Sequence, residues 1–295
     1  MIRGRLFRIV ALASALAVLV TLFVAYIYSW TAPPVYRVPD SVELSAPLRP
    51  WAEGARILER TKEAYVLQLE GDRGALLYFG ARGTTDPQAP EIRAIKSAWA
   101  DFAPTVALCE GRLAFFVGGF DRGVRRFGES GAVYALGRDA NVPRFTLEPD
   151  AAVEVRALEH DHEPRHVAAF LALRAFFTER ARGRVGEDPR GAMERILAAQ
   201  EAATDALPSV KDFEALWNRE FAGVGDWRTV DASAIAPVGD RSALHAIARV
   251  AAQTRGEHMA RAIAHLVGQG QRVFAVCDAA QVLAQEPALR AAIKP

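Results

Sequence analysis

The sequence predicts an α/β protein: a mixed, partly parallel sheet flanked by helices, with a helical insert, preceded by one N-terminal transmembrane helix. Three observations lead there. Strand patterns alternate with helix patterns at both ends of the chain, and helix patterns alone fill the middle. Two short runs, 106–108 and 273–276, are apolar without alternation, as in strands covered on both faces. Residues 9–30 carry no charge at all.

The elements follow in chain order. Arg3, Arg5 and Arg8 precede any acidic residue, so residues 1–8 read as a cytoplasmic stub. The uncharged run is 22 residues long. At about 1.5 Å per residue, such a helix covers the roughly 30 Å hydrocarbon core of a bilayer. Tyr26, Tyr28 and Trp30 stand at its far end, where an aromatic belt belongs, and Pro33 and Pro34 end it. Residues 9–30 are therefore expected to be a single-pass anchor in the inner (cytoplasmic) membrane, with the C-terminal domain extracytoplasmic. A cleaved signal peptide is the competing reading. Ala15-Leu16-Ala17 has the form of a cleavage site, but it lies inside the apolar run rather than after it. Residues 31–50, rich in proline and polar residues, read as a linker between the membrane and a domain at 51–295.

Within that domain, 51–62 has helical spacing. Residues 65–69 and 75–79 read as strands around the turn Gly71-Asp72-Arg73-Gly74. The stretch 91–102 sets Ile92, Ile95 and Trp99 on one helix face. A buried strand at 105–108, a helix at 128–136 and a strand at 145–147 come next. The helical insert, about 151–240, rests on runs at 167–177, 192–203 and 213–221, where Phe176, Phe177, Trp217 and Phe221 read as core. A helix over 242–267, interrupted near Gly256, leads to a strand at 272–276 and a last helix at 287–293.

Composition narrows the function classes. The chain of 295 residues is 51% hydrophobic and 24% charged, which fits a globular protein. Its 36 basic and 35 acidic side chains leave a formal charge of +1, so no basic field supports nucleic-acid binding. Two cysteines exclude a disulfide-stapled scaffold and a four-cysteine zinc site. Cys109 and Cys277 each end an apolar run. Parallel strands could bring them together as a disulfide, and two buried free thiols are the simpler reading.

Chemistry in such sheets collects beyond the carboxyl ends of the strands. There the chain reads Tyr78-Phe79-Gly80-Ala81-Arg82-Gly83-Thr84-Thr85-Asp86-Pro87, Val106-Ala107-Leu108-Cys109-Glu110-Gly111, Gly128-Glu129-Ser130-Gly131, Leu147-Glu148-Pro149, Arg255-Gly256-Glu257-His258-Met259 and Cys277-Asp278-Ala279-Ala280-Gln281-Val282. In order and spacing these stretches resemble the TraB/GumN family, related to the TIKI proteases and more distantly to the erythromycin-esterase-like hydrolases. The resemblance implies a site built from two Gly-x-x-His motifs with glutamates and an arginine, the histidines holding a divalent metal. It also implies ligand positions at Gly83 and Gln281, where neither residue is a histidine. Arg255 stands at the motif arginine, but Gly256 replaces the usual aspartate.

Gly83 has no side chain to ligate with, and Gln281 offers an amide oxygen that suits hard cations rather than imidazole-favouring metals. Glu110, Glu129 and Glu148 remain, and Asp278 adds a carboxylate. The expectation is a pseudoenzyme with a degenerate site at Gly83, Glu110, Glu129, Glu148, Arg255, Asp278 and Gln281, and with no cofactor. It would bind or scaffold an unknown protein or peptide partner and contact the membrane through 9–30. The alternative is an active metal-dependent hydrolase of peptide or ester bonds. In it Glu110 would be general base or ligand, and Asp278 and Gln281 would supply oxygens to a divalent ion.

Four other features carry less. His162 and His166, four apart around Pro164, would share a helix face, but histidines near a helix start are ordinary surface residues. His258 and His265, seven apart, read as partly buried structural histidines. Gly128-Glu129-Ser130-Gly131-Ala132 falls one residue short of a serine elbow. Gly118-Gly119 with Arg122, Arg125 and Arg126 could form an anion site, and a solvated loop is the simpler reading.

Overall fold

The computed structural model describes residues 29–60, 64–111, 113, 115–200, 205–239 and 242–294, with positions 14, 18 and 20. The expected stub, and the expected anchor up to residue 28, lie outside the described residues apart from those three positions. Among the described residues no helix is long and apolar enough to cross a membrane.

The far end of the expected anchor belongs to the domain instead. Ser29 and Trp30 form β1 (Ser29–Trp30), antiparallel to β5 (Phe116–Val117). Trp30 is fully buried, so it is a core residue and not part of an interfacial belt. Its indole Nε1 donates to Gly118 O at 2.7 Å, and its ring stacks on Tyr134 at 4.6 Å. Burial satisfies both the polar tip and the apolar body of the side chain. Residues 31–50 are also packed down rather than free. Thr146 N donates to Pro34 O, Val35 bridges Thr146, Tyr36 lies 5.2 Å from Phe145, and Leu48 is buried.

The main sheet has five strands in the order β2-β3-β7-β4-β6. They are β2 (Tyr65–Glu70), β3 (Ala75–Ala81), β4 (Val106–Cys109), β6 (Arg144–Thr146) and β7 (Arg272–Asp278). β2 and β3 are antiparallel across the Gly71–Gly74 turn, and every other pairing is parallel. Helices α1 (Trp51–Arg60), α2 (Pro90–Phe102) and α3 (Phe120–Asp139) occupy the N-terminal half. The insert contributes α4 (Ala151–Glu159), α5 (Pro164–Ala181), α6 (Pro189–Ala199) and α7 (Val210–Leu216). The chain returns through α8 (Ala243–Gly268) and ends with α9 (Ala279–Ala292).

Side chains alternate across each strand, so both sheet faces are apolar. Leu76, Tyr78, Leu108, Val273, Ala275 and Cys277 face the second half of α8 and α9. Leu77, Phe79, Ala107, Cys109, Phe274 and Val276 face α2 and α3. The insert has its own core, built on Phe176, Phe213, Trp217 and Trp227. The first half of α8 enters that core through Leu244, Ile247 and Ala251, and its second half packs on the sheet through Met259 and Ile263. One 26-residue helix thus joins the two cores, and Gly256 does not interrupt it.

Two further elements differ from the sequence pattern. The expected helix at 128–136 is there, but α3 also holds an earlier helical segment from Phe120, and the two meet at a kink at Gly128, at φ 62° and ψ −142°. α9 begins directly after β7 and keeps Pro287 in its interior.

Candidate functional site

Strand register builds the site. Ala81 lies opposite Asp278, and Cys109 lies opposite both Val276 and Thr146. Gly83, Asp278, Glu110 and Glu148 therefore leave four neighbouring strands at the same edge. Gln281 follows in the first turn of α9, and Arg255 reaches in from α8.

Arg255 is the hub. Its Nε donates to Glu148 Oε2 at 2.7 Å and its Nη2 to Glu148 Oε1 at 2.5 Å. Glu110 Oε1 stands 3.6 Å from the same Nη2. Burial alone would push the Glu148 carboxyl up, but the Arg255 charge and hydrogen bonds outweigh it and hold the group below the usual range. Glu110 goes the other way. Burial raises its pKa, and Arg255, opposed by the Glu148 charge, does not offset this. Burial would weaken the Arg255 cation, yet Glu148 and Glu110 keep it firmly protonated. A second, part-buried ion pair stands near this one. Arg174 holds Glu154 through bonds of 2.5 and 3.0 Å, and Glu154 is 5% exposed. The sequence reading missed that pair. Its signal was a glutamate, Glu154, at a core-facing position of an insert helix.

Asp278 and Gln281 are occupied as well. Asp278 N donates to Glu110 Oε2 at 2.8 Å, while its carboxylate caps α9 by accepting from Ala280 N at 2.8 Å. Gln281 is buried and its Oε1 accepts from Gln285 Nε2 at 3.4 Å. Gln285 in turn accepts from the Tyr78 hydroxyl at 3.2 Å. Gly256 fits beside this chain because a Cβ there would lie 2.7 Å from Leu48 Cδ1. The packed 31–50 segment occupies the space that a side chain at position 256 would need.

Gly83 and Glu129 form a separate pair. Glu129 Oε1 accepts from Gly83 N at 3.0 Å and Thr84 N at 2.5 Å, tying the loop after β3 to the kink in α3. Burial raises the Glu129 pKa against these two bonds. Gly83 sits at φ +90° with nothing within 4 Å of a Cβ, so a histidine there has room but an unfavourable backbone. The seven sequence-predicted residues thus divide between an arginine-centred cluster, with Gln281 beside it, and a loop anchor.

Other candidates resolve locally. Cys109 and Cys277 are free and buried, on opposite faces of the sheet. Burial pushes the Cys109 thiol up to about 12. α5 begins at Pro164, so His162 lies outside it and shares no helix face with His166. His166 Nε2 instead meets Glu220 Oε2 at 2.5 Å. His265 Nδ1 bonds the Tyr36 hydroxyl at 2.8 Å, and His258 Nε2 has no partner among the described residues. Ser130 sits inside α3 with helix rather than strand before it. Among the described residues no three His, Cys, Asp or Glu side chains are grouped to hold a metal. No protein-family model, curated protein or solved structure matches the chain significantly.

Proposed function

We propose that the chain is a membrane-anchored, extracytoplasmic, TraB/GumN-like domain that has lost metal-dependent hydrolysis and acts by binding or scaffolding. The pairing of Glu148 with Arg255 carries this reading. Both Glu148 oxygens are taken by one guanidinium, and Glu110 leans on the same group. A metal that activates water needs about three protein donors converging with free lone pairs. Here the carboxylates neutralise a cation instead. A peptidase and esterase screen of the full-length protein tests the reading, with no turnover expected from wild type or Glu110→Gln.

The alternative hydrolase draws on one observation. Burial raises the Glu110 pKa, as in a carboxyl tuned for proton transfer. That reading requires Glu110 to give up its contacts with Arg255 and Asp278 N and to converge with the Asp278 and Gln281 oxygens on one ion. Turnover by wild type that Glu110→Gln abolishes would establish it over the binding role.

A further inference from the structure

A cleft of about 950 Å3 opens between the first half of α3, the Gly83–Thr85 loop and the end of α5. Five guanidiniums line it, those of Arg122, Arg125, Arg126, Arg182 and Arg184. The whole chain carries a net charge of only +1, so this is a local concentration of charge. Among the described residues two carboxylates stand against it. Glu179 binds Arg184 through two 2.7 Å bonds and lies 3.9 Å from Arg182. Glu129 also lines the cleft, but spends its Oε1 on the Gly83 and Thr84 amides. Arg122, Arg125 and Arg126 have no ion pair among the described residues. Arg122 and Arg126 lie over the Phe116 ring, at 5.9 and 5.3 Å. Burial and repulsion from Arg184 lower the Arg182 pKa despite Glu179.

Guanidinium forks match phosphate oxygens two at a time, and the Thr84, Thr85 and Thr178 hydroxyls in the same wall add donors. The position of the cleft narrows the source. Phe116, on its rim, pairs with Trp30 at the point where the chain enters the domain. Residues 9–28, immediately before, carry no charge. Phe115 and Val117, on either side of Phe116, are 67% and 38% exposed.

We propose that this cleft binds the phosphate headgroup of an anionic phospholipid, with Phe116 on its rim beside the acyl chains. The arginines alone carry the phosphate part, and the lipid as source rests on reading the uncharged residues 9–28 as a membrane anchor. The test is calorimetric titration of the full-length protein in uncharged detergent. The probes are dihexanoyl phosphatidic acid, dihexanoyl phosphatidylcholine and pyrophosphate. Phosphatidic acid should bind, more tightly than pyrophosphate, and phosphatidylcholine should not. Arg125→Gln/Arg126→Gln/Arg182→Gln should weaken phosphatidic acid about tenfold or more. Its melting temperature should hold or rise, because like-charge repulsion is relieved. Glu179→Gln, which frees Arg182 and Arg184, should tighten binding. Absence of phosphatidic acid binding, or equal affinity in the triple variant, would overturn the site. Pyrophosphate binding as tight as the lipid would overturn the lipid source. Carbonate extraction of membranes reads the anchor separately. Release of the full chain would sink that reading while the titration still reports on the arginines.

Discussion

Glu148 and Arg255, 107 positions apart in the chain, are joined by two charge-assisted hydrogen bonds, 2.7 and 2.5 Å long. The pair links the edge of the sheet to the middle of α8, the helix that spans both hydrophobic cores. Breaking a buried pair leaves an uncompensated charge, at a cost of about 3–5 kcal/mol. Glu148→Gln should therefore lower unfolding stability by about 3 kcal/mol in denaturant titration. Glu110→Gln should change it by less than about 1 kcal/mol, since Asp278 N keeps an amide oxygen to donate to.

The two carboxylates should also leave opposite marks on stability against pH. The depressed Glu148 contributes stability that is present above the ordinary carboxylate pKa and is lost as pH falls through its folded value. The raised Glu110 contributes stability that is present below the ordinary value and is lost as pH rises through its folded value. Chemical denaturation between about pH 3 and 8 should show Glu148→Gln flattening the acid limb and Glu110→Gln flattening the rising-pH loss. Identical profiles for the two variants would contradict the assignment.

Trp30 should behave as a core residue. Trp30→Ala should lower stability by about 3–5 kcal/mol, as expected for a large aromatic removed from a packed interior. Gly123→Ala should also destabilise, by about 3 kcal/mol or less, because its Cβ would fall 1.9 Å from the Trp30 ring. A membrane-belt tryptophan would tolerate both changes, so thermal melts of the two variants decide.

Neither thiol should react in the folded protein. A thiol reagent should label no cysteine under native conditions and both in denaturant, without prior reduction. Labelling of neither in denaturant would mean that the two are oxidised, against their placement on opposite faces of the sheet.

Much of this was legible in the sequence because it rests on local patterns. The unbroken apolar runs at 106–108 and 273–276 mark strands buried on both faces, and their trailing residues Glu110 and Asp278 mark the site edge. What escaped depends on contacts between distant residues. Proline-rich composition at 31–50 suggests a spacer, yet Pro34 and Val35 pair with Thr146, and Leu48 fills the space over Gly256. An aromatic after an apolar run suggests a belt, yet Trp30 finds Tyr134 and Gly118 about a hundred residues away. Gly128 looks like a helix start, and the helical segment before it, from Phe120, carries no comparable start signal. Arg122, Arg125 and Arg126 lie on α3 rather than in the expected solvated loop, and the alternative of an anion site could not be weighed from sequence because Arg182 and Arg184 join them only in the fold.

The central claim is that Glu110 and Glu148 serve Arg255 rather than a metal. Elemental analysis of the purified full-length protein, prepared without chelator, tests it most directly. The account predicts no stoichiometric transition metal and no gain on incubation with zinc or manganese. One tightly bound zinc or manganese per chain, lost on Glu110→Gln, would contradict it.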